Sequence, residues 1–158
     1  MKGFIFYRLL TILVNIGCTI LGMSLVVVLA LVFANPGMGL SFFIALGVVL
    51  YAWHANRFLL KVLIRNEATT KKHKDWLQVN AIVALIFALL CISEAVVIMQ
   101  NPKMLVDAFK EMPYQYSPKM FTNMAIGILS FGVILLAHIT WTYVLIRRYK
   151  DYFIDEQF

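Results

Sequence analysis

This sequence contains four long runs of apolar residues, and the short segments that connect and flank these runs hold most of the charged residues. Each run exceeds the roughly 20 residues that a helix needs to cross the hydrocarbon core of a bilayer. The runs are Leu9–Phe33, Leu40–Ile64, Leu77–Gln100 and Phe121–Ile146. Continuously apolar runs favour helices, which satisfy their own backbone hydrogen bonds, over the alternating strands of a barrel. The sequence therefore predicts an all-α, polytopic membrane protein: one domain with four transmembrane helices in an antiparallel bundle.

The distribution of charge predicts how these helices are oriented. Charged residues make up 14% of the chain, against roughly 25% in soluble domains. Of the 14 lysines and arginines, Lys103, Lys110 and Lys119 lie in the third link, and the other eleven lie in or beside the amino terminus, the central connector 57–75 and the tail. The positive-inside rule then places both termini and the connector in the cytoplasm. Topology thereby explains the net charge of +6, and we expect no nucleic-acid partner. The predicted location is a plasma or bacterial inner membrane.

The first and third links have recognisable local patterns. The Pro- and Gly-rich stretch 35–39 predicts a tight turn between the first two helices. In the third link, Asn101 can cap a helix, Pro102 suits its first position and Pro113 ends it. The apolar residues of this segment share one face: Met104, Leu105, Ala108, Phe109 and Met112. We expect a short amphipathic helix lying on the outer surface of the bilayer.

A basic stripe occupies the end of the second run. Arg57, Lys61 and Arg65 recur every four residues, so they should lie along one face of the helix. The favoured interpretation is that their long side chains extend to the headgroups while their aliphatic stems stay in the hydrocarbon. The alternative is a docking stripe for anionic lipid or for a partner protein.

Glu94 is the one acidic residue inside an apolar run. A charged carboxylate at that depth costs several kcal/mol unless it is paired or protonated. Two hypotheses follow: a proton or cation site, or a hydrogen-bonded residue that holds helices together. Spacing places Glu94 near Asn80, Ala84 and Cys91 on one helical face, so we expect it to be turned away from lipid.

His54 and His138 lie on parallel helices at similar predicted depths. Two histidines at one level could ligate a b-type haem. The favoured alternative is that each makes interhelical hydrogen bonds, with no cofactor. No third ligand is evident nearby, so no metal site is predicted.

Small residues should let the helices approach closely, and Gly22, Gly47 and Gly127 are predicted to face other helices, either within the chain or in a partner. The sequence contains no phosphate-binding loop, nucleophile elbow, zinc-protease motif or paired carboxylates that predict a catalytic residue. Its two cysteines, Cys18 and Cys91, form no CxxC motif.

The expected function is accordingly non-enzymatic: an accessory or scaffolding subunit of a larger membrane complex, or a homo-oligomer. Its partners would be the bilayer with its anionic headgroups and other membrane subunits or further copies of itself. The alternatives are a small proton- or cation-coupled transporter that uses Glu94, and a haem-binding electron carrier that uses His54 and His138.

Overall fold

Four long helices packed against one another form the structure, a computed structural model that describes residues 2–110 and 116–155. They are α1 (Lys2–Ala34), α2 (Gly39–Phe58), α3 (Lys71–Gln100) and α5 (Pro118–Arg148), with a short α4 (Pro102–Ala108) between α3 and α5. With its π-helical extension, α2 reaches Ile64, and all four long helices are sufficiently apolar to cross a membrane. The predicted helical class is confirmed, and each predicted span corresponds to a helix that is long and apolar enough to cross a membrane.

The helices form a closed ring in which each packs on two others. α1 lies against α2 and α5, and α3 lies against the same two helices on the opposite side. Neighbouring helices run in opposite directions. Between α1 and α2, the short 3₁₀ turn Pro36–Met38 reverses the chain. The side chain of Asn35 accepts a hydrogen bond from the backbone N–H of Gly37 at 3.1 Å, which stabilises this turn.

Two helices begin well before the apolar runs that predict them. α1 begins at Lys2, and α3 begins at Lys71, where the Thr70 hydroxyl accepts a hydrogen bond from the backbone N–H of His73. Hydropathy marks the residues that suit hydrocarbon. Capping and backbone hydrogen bonds set the helix ends, and these bonds continue through charged residues.

The third link contains the expected short helix. α4 starts at Pro102, and the Phe109 ring that follows it lies 5.9 Å from Phe121 and 5.7 Å from Tyr116. This aromatic contact holds the link against the start of α5. α4 ends at Ala108, earlier than the predicted end at Pro113, which itself lies outside the described residues.

A small clasp joins the central connector to the tail, and the sequence did not predict it. Strand β1 (Thr69–Thr70) pairs in parallel with β2 (Phe153–Ile154). Lys71 and Asp155 form an ion pair at 2.7 Å beside it. This C-terminal clasp places the connector and the tail at one end of the bundle. The start of α1 lies at that end too, since the Tyr7 hydroxyl is 3.1 Å from the Thr142 hydroxyl.

The closest helix contacts occur at glycines that sequence reasoning only partly identified. A Cβ atom on Gly47 would lie 2.6 Å from Val83, and one on Gly132 would lie 3.1 Å from the Ala88 carbonyl oxygen. Gly47 therefore packs as predicted. An added Cβ at Gly22 or Gly127 would meet open space, so neither glycine packs against a helix of this chain, and contact with a partner helix stays a prediction.

Candidate functional site

His138 lies at the centre of a fully buried polar network. Its side chain has no solvent exposure. The Nδ1 atom is 2.7 Å from the Tyr51 hydroxyl, and Nε2 is 3.0 Å from the Thr11 hydroxyl. The ring also stacks on Tyr7, with centroids 4.9 Å apart and planes 9° from parallel. His138 thus joins α5 to both α1 and α2.

In a neutral imidazole one ring nitrogen donates a hydrogen bond and the other accepts one. The hydroxyls of Tyr51 and Thr11 can each donate or accept, so they satisfy His138 in either tautomer. Thr11 and Thr142 also bond to the carbonyl oxygens of Tyr7 and His138 on their own helices. Thr142 lies 3.1 Å from the Tyr7 hydroxyl and 3.0 Å from the Tyr51 hydroxyl. Because both ring nitrogens of His138 are engaged, ligation of a haem iron would break one of these bonds.

His54 belongs to a different cluster, so the structure does not bring the two predicted histidines together. Its Nδ1 donates to the Leu50 carbonyl oxygen on its own helix at 2.7 Å. Its ring stacks on His73 at 5.3 Å, with planes 29° apart, and on Trp76 at 6.4 Å. Nitrogen lone pairs lie in the ring planes, and stacked rings do not aim them at one point. The pair therefore has poor geometry for holding a metal ion.

His73 was not predicted as a site residue, because it lies in the basic connector rather than in an apolar run. The side chain is 7% exposed, and its Nε2 atom has no hydrogen-bond partner among the described residues. Nor do the described parts of the chain contain any group of three histidine, cysteine or acidic side chains suited to a metal.

A cleft of about 680 Å³ opens between α1 and α2. Arg57, Lys61 and Arg65 all line it, which confirms that these three residues share one side of the helix. The opposite wall comes from α1 and includes Asn15 and Gly22. We call this space the basic cleft. Its volume lies within the range of roughly 300–1,000 Å³ that is typical of ligand pockets.

A π turn at the end of α2 helps to aim the basic side chains into this cleft. α2 continues as a π-helix over Leu59–Ile64, and the backbone N–H of Arg65 donates to the carbonyl oxygen of Leu60, five residues earlier. Residues four apart on an α-helix drift around the axis in one direction. The wider π turn offsets that drift. Asn66, at φ 53°, then ends the helix.

Glu94 is exposed on the outside of the bundle, so it does not lie on the face of α3 that packs within this chain. The face of α3 that packs against other helices is marked by Ala84, Ala88 and Ala95, each with no exposure. Glu94 lies next to Ala95 in the chain and is rotated off this face. The hydroxyl of Ser130, a possible partner for Glu94 by depth, donates instead to Ile126 on its own helix.

Comparison with protein-family models, curated proteins and solved structures found no match to this chain.

Proposed function

We propose that this chain is a non-enzymatic, multi-pass membrane protein that acts as an accessory or scaffolding subunit, and that its partner is a membrane helix covering Glu94. The partner helix belongs to another membrane subunit or to a second copy of this chain. Both termini and the connector lie in the cytoplasm, in a plasma or bacterial inner membrane. α4 lies on the outer surface.

The exposure of Glu94 carries this proposal. Leu90 and Val97, one turn away on either side, are each 48% exposed, so the carboxylate sits within an apolar surface. In hydrocarbon such a group costs a few kcal/mol. A neighbouring helix that donates a hydrogen bond to it removes much of that cost and brings two subunits together.

The internal polar residues support the same interpretation. The His138 network is satisfied within the chain, as expected of groups whose role is to hold helices together. A haem carrier that used His138 would have to break that network. A transporter that used Glu94 would need a path to it, and Glu94 is not among the residues that line the basic cleft.

The orientation rests on where the basic segments lie. The clasp and the Tyr7–Thr142 contact bring the connector, the tail and the amino-terminal end of α1 to one end of the bundle. These segments hold most of the lysines and arginines. The positive-inside rule assigns that end to the cytoplasm.

Glu94 variants test the proposal through assembly. The wild type, purified in mild detergent, should elute with a stoichiometric partner or as an oligomer, and native mass spectrometry should give its mass. Glu94→Gln keeps a hydrogen-bonding side chain and should retain the assembly, whereas Glu94→Leu should release it. Ser130→Leu, on the outside of α5, is the matched control and should leave the assembly intact.

Two results would count against the proposal. A wild-type protein that is monomeric without a partner would contradict it, as would a Glu94→Leu variant with unchanged assembly. Proton-dependent flux in vesicles that Glu94→Gln abolishes without changing assembly would favour a transporter.

A further inference from the structure

We propose that the basic cleft is a binding site for one anionic phospholipid, with its phosphate near Arg57, Lys61 and Arg65 and an acyl chain between α1 and α2. This site is separate from Glu94 and does not depend on a partner there.

The three cations of the basic cleft carry uncompensated positive charge. The ion pairs within residues 2–110 and 116–155 are Lys71–Asp155 and Lys110–Asp107. None of the three cleft cations is therefore neutralised by a carboxylate in this part of the chain. Three cations that line one cavity attract a phosphate more strongly than cations dispersed over a surface, because arginine and lysine both bind phosphate oxygens with charge-assisted hydrogen bonds.

The lining of the basic cleft changes from polar to apolar along α2. Arg65 and Lys61 lie at its basic end, while Val49 and Ala52 lie at the other end. From Val49 to Arg65 the helix rises roughly 24 Å, and one leaflet contributes about 15 Å of hydrocarbon. The cleft therefore reaches from headgroup level into the hydrocarbon of one leaflet. A ligand that fills it has a charged head and an apolar tail.

Polar and interfacial residues line the cleft as well. Asn15 on α1 and Asn56 on α2 are among them, and Asn56 lies between Ala52 and Lys61 on α2, where the ester groups of a lipid would lie. Trp53, 70% exposed, lines it as well, and tryptophan is typical of the membrane interface. Gly22 lines the opposite wall, and an added Cβ there meets nothing within 4 Å. The missing side chain at Gly22 leaves room for an acyl chain.

The charge arm of the test uses the full-length protein in a neutral detergent, titrated with phosphatidylglycerol or phosphatidylcholine. Native mass spectrometry counts the bound lipid. Phosphatidylglycerol should bind one-to-one and more tightly than phosphatidylcholine. Replacing Arg57, Lys61 and Arg65 with glutamine should weaken its binding about a hundredfold. The control replaces Arg147, Arg148 and Lys150, which are exposed outside the cleft at the same end, and should change binding by less than about threefold.

The shape arm leaves the charge unchanged. Gly22→Leu fills the apolar part of the cleft and should weaken phosphatidylglycerol binding about tenfold or more. Gly127→Leu is its matched control, since an added Cβ at Gly127 also meets open space and Gly127 does not line the cleft. Because an added Cβ meets nothing within 4 Å at either position, both variants should keep the wild-type helical content by circular dichroism.

The competition arm separates a lipid from a free anion. Glycerol 1-phosphate, which has the charged head without the chain, should displace phosphatidylglycerol weakly. Strong displacement would show a phosphate site that does not use the apolar part, and would overturn the lipid assignment. Equal loss of phosphatidylglycerol binding in the cleft variant and in its control would indicate nonspecific surface charge and would overturn the site. Equal binding of the two lipids would overturn it as well, and so would unchanged binding by Gly22→Leu.

Discussion

Replacing His138 with alanine should be among the more damaging single changes to this bundle, whereas the same change at His54 should be mild. His138 is fully buried and bonded to Tyr51 on α2 and Thr11 on α1. His54 is partly exposed, and its hydrogen bond runs to Leu50 on its own helix. The two substitutions remove the same atoms from very different surroundings.

The expected loss can be worked from the contacts of His138. Two interhelical hydrogen bonds contribute about 0.6 kcal/mol each. The stack on Tyr7, at 4.9 Å, contributes about 1 kcal/mol. Removing the ring leaves a cavity on the order of 60 Å³, which costs about 1.4 kcal/mol at about 24 cal/mol per Å³. His138→Ala should therefore lower the free energy of unfolding by about 3.5 kcal/mol, and His54→Ala by about 1 kcal/mol or less.

Equilibrium unfolding in mixed micelles of a mild and a denaturing detergent, followed by far-ultraviolet circular dichroism, measures both losses. Tyr51→Phe keeps the ring and removes the hydroxyl that contacts His138 and Thr142. It should lose about 1.2 kcal/mol, from one hydrogen bond to His138 and one to Thr142. A His138→Ala loss under about 1 kcal/mol would refute this account of the network. So would a His54→Ala loss as large as that of His138→Ala.

The remaining predictions concern topology, packing and the tail. Both native cysteines are first replaced. A single cysteine introduced at Asn35 should then react with an impermeant maleimide from outside intact cells, and one at Lys72 should react only after permeabilisation. The reverse pattern would contradict the orientation inferred from charge. Gly47→Leu should lower the yield of folded protein, because an added Cβ there lies 2.6 Å from a side chain of α3, whereas Gly127→Leu should not; equal yields would contradict the assigned helix contacts. Phe153→Ala should expose the connector to protease at its β1 strand, because the ring is 6% exposed and stacks on α2; an unchanged cleavage rate would show that the clasp does not protect it.

The helical fold could be predicted from the sequence, because long apolar runs suited to a bilayer can satisfy their backbone hydrogen bonds there by forming helices. The clasp was not readable, since its strands are two residues long and far apart in the chain. Pairing of this kind depends on where the finished bundle places its ends. No local pattern of residues around Thr69 or Phe153 encodes it.

Spacing placed some candidate residues on the observed face and not others. The four-residue repeat placed Arg57, Lys61 and Arg65 on one side, and all three line the basic cleft. On α3, Asn80 and Ala84, which spacing grouped with Glu94, are buried, whereas Glu94 is exposed and the neighbouring Ala95 is buried instead. Alanine is common in apolar runs, so it identifies a packing face only when its spacing is compared with that of neighbouring helices.

The C-terminal clasp has a further consequence for how the chain is assembled. β1 precedes α3 in the chain and β2 follows α5, and these two helices run in opposite directions. The strands can meet only if the chain traverses the bundle an even number of times between them. In the proposed membrane topology, a chain in which one of these two helices fails to insert would leave β1 and β2 on opposite sides of the bilayer. Under that proposal, formation of the clasp depends on correct insertion of the second half of the protein.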